Sequence, residues 1–475
     1  MECVATNSEV DTESYSCSKE ALHKDVAERI QSTFNSVNKY NHSKKKDIII
    51  SDSFRRPNTV KIGLLGGDWE FGEKIEMEIL KRLYLDSFLQ RAEKVSLKHF
   101  VKLIDESADQ IVACYEQVYC REWDFPESFR QRERFTNERL GSVIEMVLVD
   151  ASFIIEVFLR AYKKEGESLG GKLHGIRKDL FLDCNQLPWF ILKEIYELAF
   201  SGDPNYPSFL RLTSHFFSPY HNHKIASIDP SANHLEGSKH FTDLLRTLQL
   251  PFPKENSRKE DKFQLIKAKI MSLYRKPDDL PSAKSKKQEE FQVRIEYLYS
   301  AVVLQELGVK FKHSRSASLA DIQFHKGELK IPLLRVDEST ILFFDSLIIW
   351  EQKYYPDQTH FRDYIFLMQC LLKSTEDVDL LIRRNIIINH LGENKAVIQL
   401  FNAFSDSVSG LGENSCYANI LDQLMAYNEV PHHGWIATLK MQHFSTPWKG
   451  VATIAAIILL LLTLIQTICS VISVV

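Results

Sequence analysis

The sequence predicts a mainly α (α+β) protein: a multi-helix body with a small β-hairpin element and one C-terminal transmembrane helix. Three observations carry this. Leu97, Phe100, Val101, Ile104, Ala108, Ile111, Val112 and Tyr115 recur at three- and four-residue steps, the period of an amphipathic helix. The period changes to two in Val309-Lys310-Phe311, Ile322-Gln323-Phe324 and Leu329-Lys330-Ile331, as half-buried strands require. Finally, no charged side chain occurs between Gly450 and Val475. As a helix, that run reaches about 39 Å, enough to cross a hydrocarbon core of roughly 30 Å with some tilt.

Residues 1–58 read as a mobile arm, with balanced charge and few apolar residues before Ile48-Ile49-Ile50. Residues 59–200 form a helical first half. It begins with Val60-Lys61-Ile62-Gly63-Leu64-Leu65-Gly66-Gly67-Asp68, a short extended stretch running into a glycine turn. Neither a Gly-Lys-Ser/Thr nor a G-x-G-x-x-G spacing follows, which argues against a phosphate loop. A helix is predicted over 75–91, and a second runs from an N-cap at Ser96 through Tyr115. The third, 138–163, is apolar nearly all round and therefore central and buried. Asp150 and Glu156 on it must then be paired or protonated. Another helix opens at Asp179 and runs to Phe200. Pro188 lies in its first turn, and Asn185 and Gln186 bond backbone at the junction.

Residues 201–288 read as a connection rich in Pro, His and Lys, with one helix over 239–248. Its histidines, His215, His221, His223, His234 and His240, lack the helical spacing or cysteine partners of a zinc site. No metal and no cofactor are expected. Residues 289–446 form a helical second half. Phe291, Ile295, Leu298, Val302 and Leu307 trace a helix stopped by Gly308. His325-Lys326-Gly327-Glu328 turns a hairpin, and Pro332 ends it or marks an edge. Ser339 or Thr340 caps a helix over 341–352, and three or four more helices fill 361–429.

Charge and cysteine usage narrow the function classes. Lys and Arg number 59 against 63 Asp and Glu, a net charge of −4 that argues against nucleic-acid binding. The runs Lys44-Lys45-Lys46 and Lys284 to Lys287 are short solvated loops with at most a weak attraction for anionic lipid. Eight cysteines (Cys3, Cys17, Cys114, Cys120, Cys184, Cys370, Cys416, Cys469) are scattered without a C-x-x-C pair and read as reduced thiols.

The N-terminal stretch is polar and acidic, with no secretory signal visible. The expectation is a tail-anchored, single-pass protein whose body stays cytosolic, at the plasma membrane or an endomembrane. Its span runs from Gly450 through Leu459, Leu460, Leu461 and Leu462 to Gln466 and Val475, with Lys440 and Lys449 on the cytosolic flank. The sequon Asn41-His42-Ser43 then stays unused. Gln466 suggests self-association, because an amide in lipid bonds across to another helix. Hydration at the far interface is the alternative.

Several segments together resemble a plant family, the "domain of unknown function 247", over roughly residues 58–470. They include Val60-Lys61-Ile62-Gly63, the helix Glu78 to Arg91, and Glu145 to Phe158 with Asp150, Phe153 and Glu156. Ile176-Arg177-Lys178-Asp179-Leu180 follows, leading into Asn185-Gln186-Leu187-Pro188. In the second half the carriers are Leu304-Gln305-Glu306-Leu307-Gly308-Val309-Lys310-Phe311, Leu329-Lys330-Ile331-Pro332-Leu333-Leu334-Arg335-Val336-Asp337, Phe401-Asn402 and the tail from Phe444. The chain departs from the family where Gly63-Leu64-Leu65-Gly66-Gly67 replaces a Gly-Pro-Tyr/Phe-His-His-Gly segment. It departs again where Cys184 replaces a glutamate before Asn185. A usual Cys-Ile-Tyr-Arg-Val-Pro-like lead-in is missing.

The resemblance implies a plant-specific protein with a C-terminal membrane helix and no established enzymatic activity. Some members are implicated in reproduction, in pollen self-recognition and in control of floral-organ sex. The function expected is therefore a membrane-tethered interaction or recognition protein without catalytic activity. Its partners would be the lipid bilayer and an unidentified protein, with no nucleic acid. The alternative is a hydrolase-like enzyme using the buried polar residues Asp150, Glu156, Asn185 or Gln186, although no Gly-x-Ser-x-Gly elbow or His-Glu-x-x-His is present.

Overall fold

A computed structural model describes residues 20–32, 59–63, 74–119, 137–165, 172–182, 185–222, 235, 237–251, 300–404, 408 and 415–428, with 455, 458–463, 465 and 466 in the apolar C-terminal stretch. The chain divides into two compact units, Met1–Leu248 and Gln249–Val475.

The regular elements of the first unit, among its described residues, are all helices. Residues 20–32 form α1, inside the stretch expected to be a mobile arm. Leu22, Val26 and Ile30, four residues apart, make one buried stripe. His23 bonds Asp105 at 3.0 Å, and Arg29 pairs with Glu145 at 3.4 Å. The rest of 1–58 lies outside the described residues, Asn41 included.

Next come α2 (Lys74–Arg91), α3 (Leu97–Glu106) and α4 (Ala108–Tyr119). The single helix expected over 97–115 is thus two, parted at Ser107. Ser96 does not cap through its side chain; its hydroxyl bonds His99 Nδ1 at 2.8 Å instead. The centre of the unit is α5 (Asn137–Lys163), whose 27 residues make a rod of about 40 Å. Val147, Leu148, Ala151, Phe153, Ile154 and Ile155 along it are buried, as its unbroken apolar run requires. Helix α2 lies along it, and the Phe153 ring packs on Tyr84 with centroids 5.5 Å apart.

The helix expected over 179–200 starts ten residues later, at Trp189. Helix α6 (Lys172–Asp179) ends before an irregular junction, and α7 (Trp189–Phe200) starts after it, with Pro188 one position earlier than expected, at the N-cap. The expected loop over 201–235 contains α8 (Phe209–Phe216), whose first turn is closed by Ser208 Oγ accepting from the Arg211 N–H. Phe158 stacks on Phe216 at 4.2 Å and lies 5.5 Å from Phe241 of α9 (Phe241–Gln249). Each such ring contributes roughly 2–3 kcal/mol by leaving water. His223 and His234 lie outside the described residues. Of the remaining histidines of this stretch, His221 bonds the Ser214 carbonyl at 2.8 Å and His215 stands edge-on to Tyr162 at 5.1 Å.

The second unit mixes helices with two small sheets. Helix α10 (Ala301–Glu306) is the described end of the helix predicted from Glu289, and Gly308, at φ +100°, follows it. The first sheet has the order β1–β3–β2, from β1 (Lys310–Ser314), β2 (Gln323–His325) and β3 (Glu328–Pro332). The hairpin is present. Lys326 and Gly327, at φ +49° and +78°, supply the two left-handed residues of a tight twisted turn. Pro332 ends β3, which is the central strand, paired in parallel with β1.

A second sheet, β4 (Leu334–Val336) beside β5 (Ile387–Asn389), was not expected; three-residue strands are too short to show a period. The helices are α11 (Thr340–Tyr354), α12 (His360–Leu371), α13 (Thr375–Arg383), α14 (Asn394–Asn402) and α15 (Ala418–Asn428), the last four filling 361–429 as anticipated. The start of α11 is held by Asp337 rather than by Ser339 or Thr340 alone. Its carboxylate accepts the Ser339 N–H and the Ser339 hydroxyl, at 2.8 and 2.6 Å.

Of 450–475, the described residues 458–463, with 455, 465 and 466, are helical and exposed. The remainder of the predicted span, Gly450 and Val475 included, lies outside them. Among the described residues no helix is long and apolar enough to cross a membrane. Among the described residues the fold class is therefore mainly helical with two small sheets.

Candidate functional site

Thr59 to Gly63 run as extended backbone, as the sequence suggested, yet among the described residues no strand lies alongside. Buried backbone N–H and C=O groups must be satisfied somewhere, and here side chains do it. The Thr59 and Val60 N–H groups donate to Asp179 Oδ2 at 2.5 and 2.8 Å. Asn185, fully buried, reads the next pair: its Oδ1 accepts the Ile62 N–H at 2.6 Å, while its Nδ2 donates to the Val60 carbonyl at 3.0 Å. Gly63 donates to Asp150 Oδ2 at 2.8 Å. We call this segment the strap.

Lys81 completes it from α2. Its ammonium, 3% exposed, reaches Asp150 Oδ1 at 2.8 Å, Glu78 Oε1 at 2.8 Å and the Lys61 carbonyl at 2.5 Å. An ammonium has three protons, and three acceptors meet them. Burial draws the Lys81 pKa down, but the charges of Asp150 and Glu78 outweigh it and lift the group above 10.5. Burial also pushes the Asp150 carboxyl up, against the pull of Lys81 and the Gly63 N–H.

Gly63 itself is required. Its φ is +73°, and an added Cβ would strike the Tyr115 hydroxyl and come within 2.6 Å of the Gln186 carbonyl. Those two groups bond each other at 2.7 Å. Gln186 donates in turn to the Leu180 and Leu182 carbonyls, both at 2.7 Å, and accepts from the Phe241 N–H at 3.2 Å. These bonds explain why residues 180–182 and 185–188 are not helical.

A cavity of about 410 Å³ opens beside the strap, bordered by Lys61, Gly63, Lys81, Arg82, Glu145 and Asp150 among others. Its charges are matched: Arg82 pairs with Glu145 at 3.1 Å, and Lys81 with Asp150 and Glu78. Glu156 stands apart, about 9 Å further along α5. It accepts from Arg160 at 2.7 Å and Arg91 at 3.0 Å, and Arg91 continues to Glu165.

The structure thus gathers Gly63, Asp150, Asn185 and Gln186 at one strap and separates Glu156, Phe153, Pro188 and Pro332 from its bonding. Asn185 and Gln186 do bond backbone at their junction, and both carboxylates expected to need partners have them. Sequence reasoning missed Lys81 and Asp179. The need of Asp150 for a cation pointed toward the first, since Lys81 is a charge inside the otherwise apolar stripe of α2. Among the described residues no group of His, Cys, Asp and Glu is placed to hold a metal ion.

The fold and site define a helical scaffold whose buried polar residues fasten backbone. The chain belongs to the plant family of unknown function DUF247, whose pattern matches residues 19–462. It is similar to a UPF0481 protein of Arabidopsis thaliana, with 28% identity over 439 residues, covering 88% of this chain and 83% of the relative. A further UPF0481 protein of the same plant is 23% identical over 165 residues, 34% of this chain and 31% of that relative. No solved structure matches the chain.

Proposed function

We propose that this protein is a membrane-tethered interaction protein without catalytic activity, anchored once through 450–475 with its helical body on the cytosolic side. One observation carries the reading. Ile458, Leu459, Leu460, Leu461, Leu462 and Ile465 are helical, yet 51–71% exposed. Burying them in hydrocarbon removes an apolar surface that water disfavours. Gln466, exposed on the same helix, supports self-association within the bilayer. The non-catalytic part rests on Asp150, Asn185 and Gln186, whose polar atoms are engaged in holding backbone.

The hydrolase alternative keeps only Asp150 beside the cavity, since Asn185, Gln186 and Glu156 do not line it. The reproductive roles implied for other family members make pollen and floral organs the first tissues in which to seek the protein partner. Alkaline carbonate extraction of plant membranes tests the tether. The full chain is expected to stay in the pellet and a version lacking 450–475 to enter the supernatant. Release of the full chain would sink the proposal.

A further inference from the structure

The outward face of the β1–β3–β2 sheet is basic. Alternation sends Phe311, Leu329 and Ile331 inward and leaves Lys310, Lys312 and Lys330 exposed. The register sets Lys312 directly beside Lys330. Like charges in that relation are unfavourable within a sheet, and at Lys312 the Glu328 carboxylate offsets part of the cost.

Lys326 at the hairpin turn and Arg315 beyond β1 are exposed and add to the same sign. Two carboxylates oppose them. Glu328 is bonded by Lys312 at 2.7 Å; that bond, then the charges of Lys312, Lys310 and Lys330, hold its carboxyl below the usual range. Asp321 accepts from Gln323 Nε2 at 2.7 Å.

Helix α15 packs on the edge strand β2, where Tyr427 stands edge-on to Phe324 at 5.8 Å. From α15 the chain has about 20 residues before Gly450, a reach of at most roughly 75 Å. The basic face and the apolar stretch therefore belong to one unit on a limited leash. Lysine ammonium groups are separate point charges without the fork that grips one phosphate or carboxylate. A diffuse layer of negative charge suits them better than a single acidic side chain.

We infer that this sheet face rests on anionic lipid headgroups of the bilayer that holds 450–475, an inference that relies on the tether proposed above. The test offers the full chain a mixture of neutral phosphatidylcholine vesicles and vesicles carrying phosphatidylserine, separated by density. At low salt the parent is expected to favour the anionic vesicles at least tenfold, and high salt should erase the preference. Each of Lys310→Gln, Lys312→Gln and Lys330→Gln is expected to lower the ratio by up to about fivefold. Glu328→Gln should raise it, an effect that mere damage to the fold does not produce.

Equal partitioning of the parent, or an undiminished preference in the triple variant, overturns the inference while leaving the tether intact. So does a preference abolished by neutralising Lys284 to Lys287 instead. A face that captures poly-glutamate but ignores vesicle charge belongs to an acidic protein partner, and that result also overturns it. Failure to float with either vesicle removes the tether reading, and this inference with it.

Discussion

Each unit places extended backbone among helices, and the two satisfy it by opposite means. In Gln249–Val475 the strands β1, β2 and β3 pair N–H with C=O along a shared ladder. In Met1–Leu248 the strap has no neighbouring strand among the described residues, and Asp179, Asn185, Asp150 and Lys81 stand in for one. A ladder tolerates many sequences, because the backbone supplies its partners. A side-chain-fastened strap depends on the identity of each residue that grips it. The second unit does use buried carboxylates, but on helix starts. Asp377 closes a reciprocal capping box with Ser374 on α13 and accepts the Val302 N–H of α10 at 2.8 Å, and Glu351 accepts the Phe361 N–H of α12 at 2.8 Å.

The contrast can be broken most forcefully at Asp150. Asp150→Ala leaves the Lys81 ammonium buried without its main counter-charge, and a loss of about 3–5 kcal/mol is expected in urea unfolding. The double replacement Asp150→Leu with Lys81→Met should recover much of it. A cost below about 1 kcal/mol for Asp150→Ala would show that the strap is not held as described.

A smaller effect separates strap from ladder. Asn185→Ala orphans the Ile62 N–H and the Val60 carbonyl and should cost about 1–3 kcal/mol. Gln323→Ala on β2, whose backbone pairing survives the change, should stay within about 0.5 kcal/mol. Equal thermal shifts for the two would erase the distinction.

The smallest effect is one of pH. Since the Lys81 pKa is raised in the folded state, its contribution is complete below 10.5, the ordinary lysine value, and is lost as pH rises through the folded value. The parent should lose stability in that alkaline window relative to Lys81→Met, and parallel unfolding midpoints there would contradict the pairing.

Much of this was legible in residue order. The helices at 74–91 and 137–163, the hairpin turning at Lys326-Gly327, and the demand of Asp150 and Glu156 for partners all follow from local period and burial. What escaped has a common physical cause. The strap bonds made by Asp150, Asp179 and Asn185 join residues more than 80 positions apart, as Gly63 and Asp150 are, and no short-range pattern encodes such a meeting. The break at Ser107 and the helix α8 escaped for another reason. Tertiary packing of Phe209, Leu210 and Phe216 outweighed a stretch whose Pro, Ser and Asn content reads as irregular. In α1, three apolar residues spaced by four were diluted by the polar sequence around them.

The strap also bears on how the protein is made. Val60 emerges from the ribosome early, but the carboxamide that secures it belongs to Asn185, 125 residues later. At about 5–20 residues per second that interval is roughly 6–25 s. Throughout it, Val60 and Ile62 have apolar side chains and unanswered amides on display, which is the kind of surface molecular chaperones hold. A translational pause before residue 185 would lengthen this vulnerable period without altering a single atom of the finished protein.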